Sequence, residues 1–122
     1  MAKANCFEEP EIWQLSSKLC FSIFEEFGKI KDFYYRDQIL GCSLSIMNNI
    51  AEGFERNSNK EFVRFLKISK GSCGELRSML YLAEDFGYTE KSKAESFRSD
   101  AQIILKKTGA LISAISSSTR NP

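Results

Sequence analysis

The chain has 122 residues, a length suited to one domain that buries about two thirds of the surface its unfolded state exposes. Its 43% hydrophobic and 27% charged residues are those of an ordinary globular protein, and a net charge of +1 is far below that of a strongly nucleic-acid-binding domain. The absence of His excludes a Ser/His/Asp triad, a Cys/His pair and the Glu-x-x-His ligands of a di-iron bundle.

The four cysteines, Cys6, Cys20, Cys42 and Cys73, form no Cys-x-x-Cys pair, so no metal centre or cofactor is expected and no catalytic residue is assigned. Buried free thiols are the first reading of them and structural disulfides the second. The first residues, Met1-Ala2-Lys3-Ala4-Asn5, lead into Cys6-Phe7-Glu8-Glu9 without an apolar core segment, and no eighteen apolar residues run together. A cytoplasmic protein without membrane contact is the expectation.

Pro10 and Pro122 are the only prolines, leaving the interior free of helix breakers. Apolar residues at spacings of three and four predict four helices, over about 9–27, 33–54, 59–86 and 90–115, within a single domain spanning 1–122. In the first, Trp13, Cys20, Phe24 and Phe27 form one stripe and Ile12, Leu19 and Ile23 another. Pro10 suits its first turn, and Gly28 is expected to end it with a positive φ. The second carries Ile39, Cys42, Ile46 and Ile50 beside Leu40, Leu44, Met47, Ala51 and Phe54, with Gly53 as its stop. Asn49, between Ile46 and Ile50, is expected to bond across the bundle and set register.

The third helix opens on Ser58-Asn59-Lys60-Glu61, a capping box, and closes at Gly87. Phe62, Leu66, Ser69, Cys73, Leu76, Leu80 and Ala83 form its main line, with Phe65, Ile68, Ser72, Met79, Leu82 and Phe86 alongside. Gly71 and Gly74 within it each cost about 1 kcal/mol against Ala, which calls for a backbone packed closely on them. Thr89 is a cap for the fourth helix, lined by Ala94, Phe97, Ala101, Ile104, Thr108, Leu111 and Ile115, and residues 116–122 read as a frayed tail. Short connections favour an all-α, antiparallel up-down-up-down four-helix bundle, with a coiled-coil dimer as the alternative. Doubled apolar stripes exceed the face one bundle helix needs and point to self-association.

Charge is segregated. Residues 1–55 carry five Lys/Arg against nine Asp/Glu, whereas residues 56–77 carry six against two, a net −4 followed by +4. Arg56, Lys60, Arg64, Lys67 and Lys70 form a basic stripe suited to phosphates, unless they pair with the acidic first half of the same or a neighbouring chain. Glu52 lies where the helix dipole disfavours a carboxylate and needs Arg56 or Arg64, the latter through two hydrogen bonds.

Asn49-Ile50-Ala51-Glu52-Gly53-Phe54 and Lys60-Glu61-Phe62-Val63-Arg64-Phe65-Leu66, with Glu11-Ile12-Trp13-Gln14, Gln38-Ile39, Lys70-Gly71-Ser72 and Gly87-Tyr88, together resemble the signature of one family. It comprises the bacterial four-helix bundle proteins encoded in intervening sequences of 23S ribosomal RNA genes, also labelled S23 proteins. The resemblance makes Asn49, Glu52, Gly53 and Arg64 the structural motif at the second turn. It implies a ring-shaped homopentamer, and a similar accessory protein of diversity-generating retroelements is thought to bind nucleic acid and a reverse transcriptase. This chain departs from the family in having Leu40 and Gly41 where two Arg are common, and Met47 where Pro is common.

The leading functional expectation is a non-enzymatic oligomeric binding or scaffold protein, with RNA or DNA as a candidate partner. A protein-interaction module that joins a separate enzyme is second. An enzyme with Asn49, Glu52 and Arg64 lining a pocket is third.

Overall fold

In a computed structural model, which describes residues 7–120, the chain forms α1 (Glu11–Phe27), α2 (Phe33–Glu55), α3 (Asn59–Phe86) and α4 (Lys91–Arg120). No strand occurs among the described residues. Each helix packs against two others in the cyclic order α1, α2, α3, α4, enclosing one core. All seven residues of the predicted main line of α3 are buried. On α1 the line of Ile12, Leu19 and Ile23 turns inward with Cys20 and Phe27, while Phe24 remains exposed.

The helix ends show where local signals were misleading. Pro10 is the N-cap of α1, in extended backbone at φ −60° and ψ 135°, so the helix starts two residues later than 9. Gly28 follows α1 in right-handed geometry, φ −64°, and not with the expected positive φ. Glycine suits this position because a Cβ would stand 2.5 Å from the Phe24 carbonyl oxygen. Gly53 is likewise not a stop. It is buried inside α2, which runs unbroken through Met47 to Glu55 before Arg56 turns extended.

The start of α3 is capped by Ser58, whose Oγ accepts from the Glu61 amide at 3.1 Å, while the Glu61 carboxylate accepts from Arg64. Gly87, φ 74°, ends α3 with its amide donating to Glu84 and the Tyr88 amide donating to Ala83, the paired bonds of a Schellman motif. Thr89 does not cap α4. Its hydroxyl donates to Glu26 at 2.7 Å, tying the start of α4 to the end of α1. The stretch expected to fray continues α4 to Arg120, because buried Ile115, with Leu111 and Ile112 packed on the core, anchors the last turns. Residues 121–122 of that predicted tail, and Cys6, lie outside the described residues.

Short polar side chains tie the helices together. Ser69 donates to the Ile46 carbonyl at 2.8 Å, and the Ser45 and Ser72 hydroxyls meet at 2.7 Å, both between α2 and α3. Asn49 does not cross the core as expected. Its amide donates to the carbonyl and hydroxyl of Ser45 one turn earlier, at 2.8 and 3.0 Å, and reaches α3 only through that serine. Gly71 and Gly74 meet no close backbone from elsewhere in the chain, contrary to expectation, since nothing beyond their own helix turn lies within 4 Å of a Cβ built on either. Cys20, Cys42 and Cys73 are free thiols, and burial pushes Cys73 up to about 12. No helix among the described residues is long and apolar enough to cross a membrane.

At the end holding the α1–α2 and α3–α4 connections, Tyr35 meets the rings of Phe27, Phe86 and Tyr88, and its hydroxyl donates to the Met79 carbonyl at 2.6 Å. Asp32 joins the two connections. One carboxylate oxygen accepts from the Tyr35 amide and the other from the Tyr88 hydroxyl. The Tyr88 hydroxyl first, and that amide second, hold the Asp32 carboxyl below its ordinary value of 3.8. A lowered folded-state value contributes stability that is present above the unfolded pKa and lost as pH falls through the folded one. Acid titration of stability, followed by circular dichroism, is therefore expected to fall less steeply below pH ~4 in Asp32→Asn than in the parent. Identical acid limbs would remove Asp32 from the account.

Candidate nucleic-acid interface

Spacings of four and three put Lys60, Arg64 and Lys67 on one side of α3, and Arg56 precedes them in the α2–α3 connection. The structure divides this stripe. Arg56 donates to Glu52 at 2.7 Å, which supplies the cation that a carboxylate at the end of α2 needs. Arg64 does not reach Glu52, as the sequence suggested. It holds Glu61, one turn back on its own helix, through Nε at 3.1 Å and Nη2 at 3.4 Å. Proximity along one helix wins over a contact across the turn, since the i,i+3 pair needs no bridging of the connection.

Both guanidinium groups lie over Phe65, with their carbons 4.9 Å (Arg56) and 4.7 Å (Arg64) from the ring centroid. Phe65 is placed there by Gly53, because a Cβ on that glycine would stand 2.8 Å from the Phe65 Cβ and 3.3 Å from the Phe62 carbonyl oxygen. Glu52, Gly53 and Arg64 of the predicted structural motif therefore all serve the α2–α3 junction. Asn49 braces α2 one turn earlier.

Lys70 leaves the stripe by leaning on α4, where its ammonium lies 3.7 Å from the position of a Cβ on Gly109. Lys60 and Lys67 are exposed, and neither belongs to an ion pair among the described residues. Three carboxylates of the acidic first half find their cations elsewhere. Glu11 pairs with Lys107 at 2.8 Å and Glu26 with Lys93 at 3.1 Å, both on α4, and Asp37 pairs with Arg36 beside it. These exposed pairs hold little energy individually, but they leave the two lysines with their charge uncompensated inside the chain.

The lysines border an open cleft of about 560 Å³ between the start of α3 and the end of α4, lined by Asn59, Lys60, Glu61, Val63, Arg64, Lys67 and Ser116. The positive end of the α3 dipole adds to their field. Arg56 and Lys70 are not among the lining residues. Sequence reasoning left Asn59, Glu61, Val63 and Ser116 out of the site. The last was hidden by the fraying expectation, although Ile115 on the heptad line already argued for helix beyond it.

An all-helical protein of four packed helices, with a charged open cleft and no cluster of metal-ligating residues among those described, is the class that fold and site define. The chain belongs to the 23S rRNA-intervening sequence protein family, whose profile matches residues 8–110. Among solved structures it is similar to a protein of unknown function from the S23 ribosomal protein family of Bacteroides thetaiotaomicron VPI-5482, at 25% identity and a TM-score of 0.78 over 83% of this chain and 97% of that one. No curated protein matches the chain.

Proposed function

We propose that this protein is a non-enzymatic, self-associating scaffold of the cytoplasm that binds RNA or DNA through Lys60 and Lys67. The observation that carries the reading is the pair of exposed lysines left without an acidic partner, while Glu11 and Glu26 of the acidic half take their cations from α4. Phosphates supply the missing charge. Arg56, Arg64 and Lys70 support the surface from their own contacts and set its shape.

In this reading the helices alternate in direction. The ion pairs support it, joining the start of α1 to the later half of α4 and the end of α1 to the start of α4. Self-association is favoured by large apolar side chains outside the core, among them Phe21 at 66% exposed and Leu44 at 39%, and the family resemblance makes a homopentamer the form expected. The same exposed side chains favour the second reading, docking of a partner protein on the α1–α2 side, with no nucleic-acid contact.

Charge reversal at both lysines, Lys60→Glu with Lys67→Glu, separates the readings. The expected result is weaker binding to RNA or DNA and a slope of log K against log salt flatter by roughly 1.4–1.8, from about 0.7–0.9 per lost phosphate contact. Helicity and oligomer size by light scattering stay unchanged. Break-up of the oligomer would assign the lysines to a neighbouring copy, and no change in affinity or size would leave the proposal without residues.

A further inference from the structure

Resting on the nucleic-acid reading above, we infer that the cleft between α3 and α4 takes a single strand in preference to a duplex, seating an unpaired base beside the Arg64 guanidinium. Charge in one cleft is too little to hold a duplex tightly. The two unpaired lysines that each copy places there release few counterions. The remaining affinity has to come from something other than phosphate, and the cleft has a surface for it.

Its volume of about 560 Å³ lies within the range of pockets that enclose small ligands of nucleotide size. Val63 and the aliphatic stems of Lys60, Arg64 and Lys67 give it an apolar wall. Arg64 is held as a plane on both counts that matter. Phe65 lies under the guanidinium at 4.7 Å, and Glu61 accepts from its Nε and Nη2, so the cation is oriented and its partner carboxylate is neutralised. An arginine fixed in this way stacks on a base of any identity, the sequence-tolerant contact that single-strand binders use.

A recess also suits the geometry of a single strand. Lys60 and Lys67 are two helical turns apart, about 10.5 Å along α3 at 1.5 Å per residue, so they can track a backbone that passes along the rim. Bases in a duplex are stacked inside the helix and reach a recess only by flipping, which breaks their pairing and stacking. Readers of duplex DNA instead present a protruding helix or ribbon to the major groove. Here the cations lie at the edge of a hollow.

Fluorescence anisotropy with a labelled oligothymidine strand and with a duplex of equal length tests this on the full chain. The single strand is expected to bind at least tenfold tighter. Arg64→Lys, which keeps the charge and loses the planar stack, is expected to weaken single-strand binding about fivefold or more at an unchanged salt slope, with helicity preserved. Duplex binding as tight as single-strand binding overturns this inference and leaves the nucleic-acid reading standing. A single-strand preference that Arg64→Lys does not reduce overturns the seating of a base at Arg64. Binding of neither probe at low salt overturns both proposals.

Discussion

Truncation of Leu76 to Ala is expected to lower the unfolding free energy by about 2–5 kcal/mol, the usual range for emptying a packed leucine site. Leu76 is fully buried, on the main line of α3, the helix that packs against both α2 and α4. Its immediate neighbours on that line, Cys73 and Leu80, are also fully buried, and each is held to a continuous 28-residue helix. Such a site cannot collapse around the missing atoms without moving α3 as a whole, so most of the cavity cost remains. Urea melts measure the change directly. A loss under ~1 kcal/mol would show that the middle of the core relaxes freely, against the burial seen here.

Alanine scanning of glycines within helices is expected to split by sign, with Gly53→Ala destabilising by about 1–3 kcal/mol and Gly71→Ala stabilising by about 0.5–1 kcal/mol. Both residues lie inside helices, so both gain from the better propensity of Ala. The difference is space. A Cβ on Gly53 would meet the Phe65 Cβ at 2.8 Å, an atom fixed to the backbone of α3, while a Cβ on Gly71 meets nothing within 4 Å. The clash at Gly53 has to separate α2 from α3 at the turn, and Phe65 carries Arg56 and Arg64, so the same substitution disturbs the wall of the α3–α4 cleft at Arg64. Equal melting points for the two variants would mean that the α2–α3 junction yields at no cost. Destabilisation by Gly71→Ala would mean that another molecule approaches that face of α3.

Much of the fold was legible in the sequence because the signals involved are local. The main line of α3, from Phe62 to Ala83, is a spacing of four and three that any isolated helix would share, and all of it is buried. The Ser58 half of the capping box and the Gly87 stop depend on bonds within a few residues and occur as read, while the Glu61 carboxylate goes to Arg64 instead of a helix-start amide. Which of two adjacent apolar stripes turns inward was not legible. On α1 both contain large side chains, yet Ile23 is fully buried and Phe24 is 37% exposed, a choice set by where α2 and α4 stand.

The candidate site divides in the same way. The sequence by itself determined that Arg56, Lys60, Arg64 and Lys67 gather near the start of α3, since helical spacing and a short connection leave them nowhere else. The family signature is equally a property of the sequence, and it identifies the chain over residues 8–110. Sequence spacing allowed Glu52 either arginine, and the structure settles it locally, one turn apart in each case, with Arg56 on Glu52 and Arg64 on Glu61. Tertiary contacts turned Gly53 from a helix stop into a point of close approach, and placed the end of α4 against the start of α3 to form the cleft. Backbone signals act over one helical turn, whereas a cleft requires two segments about fifty residues apart to pack against each other, and packing is fixed by the whole core.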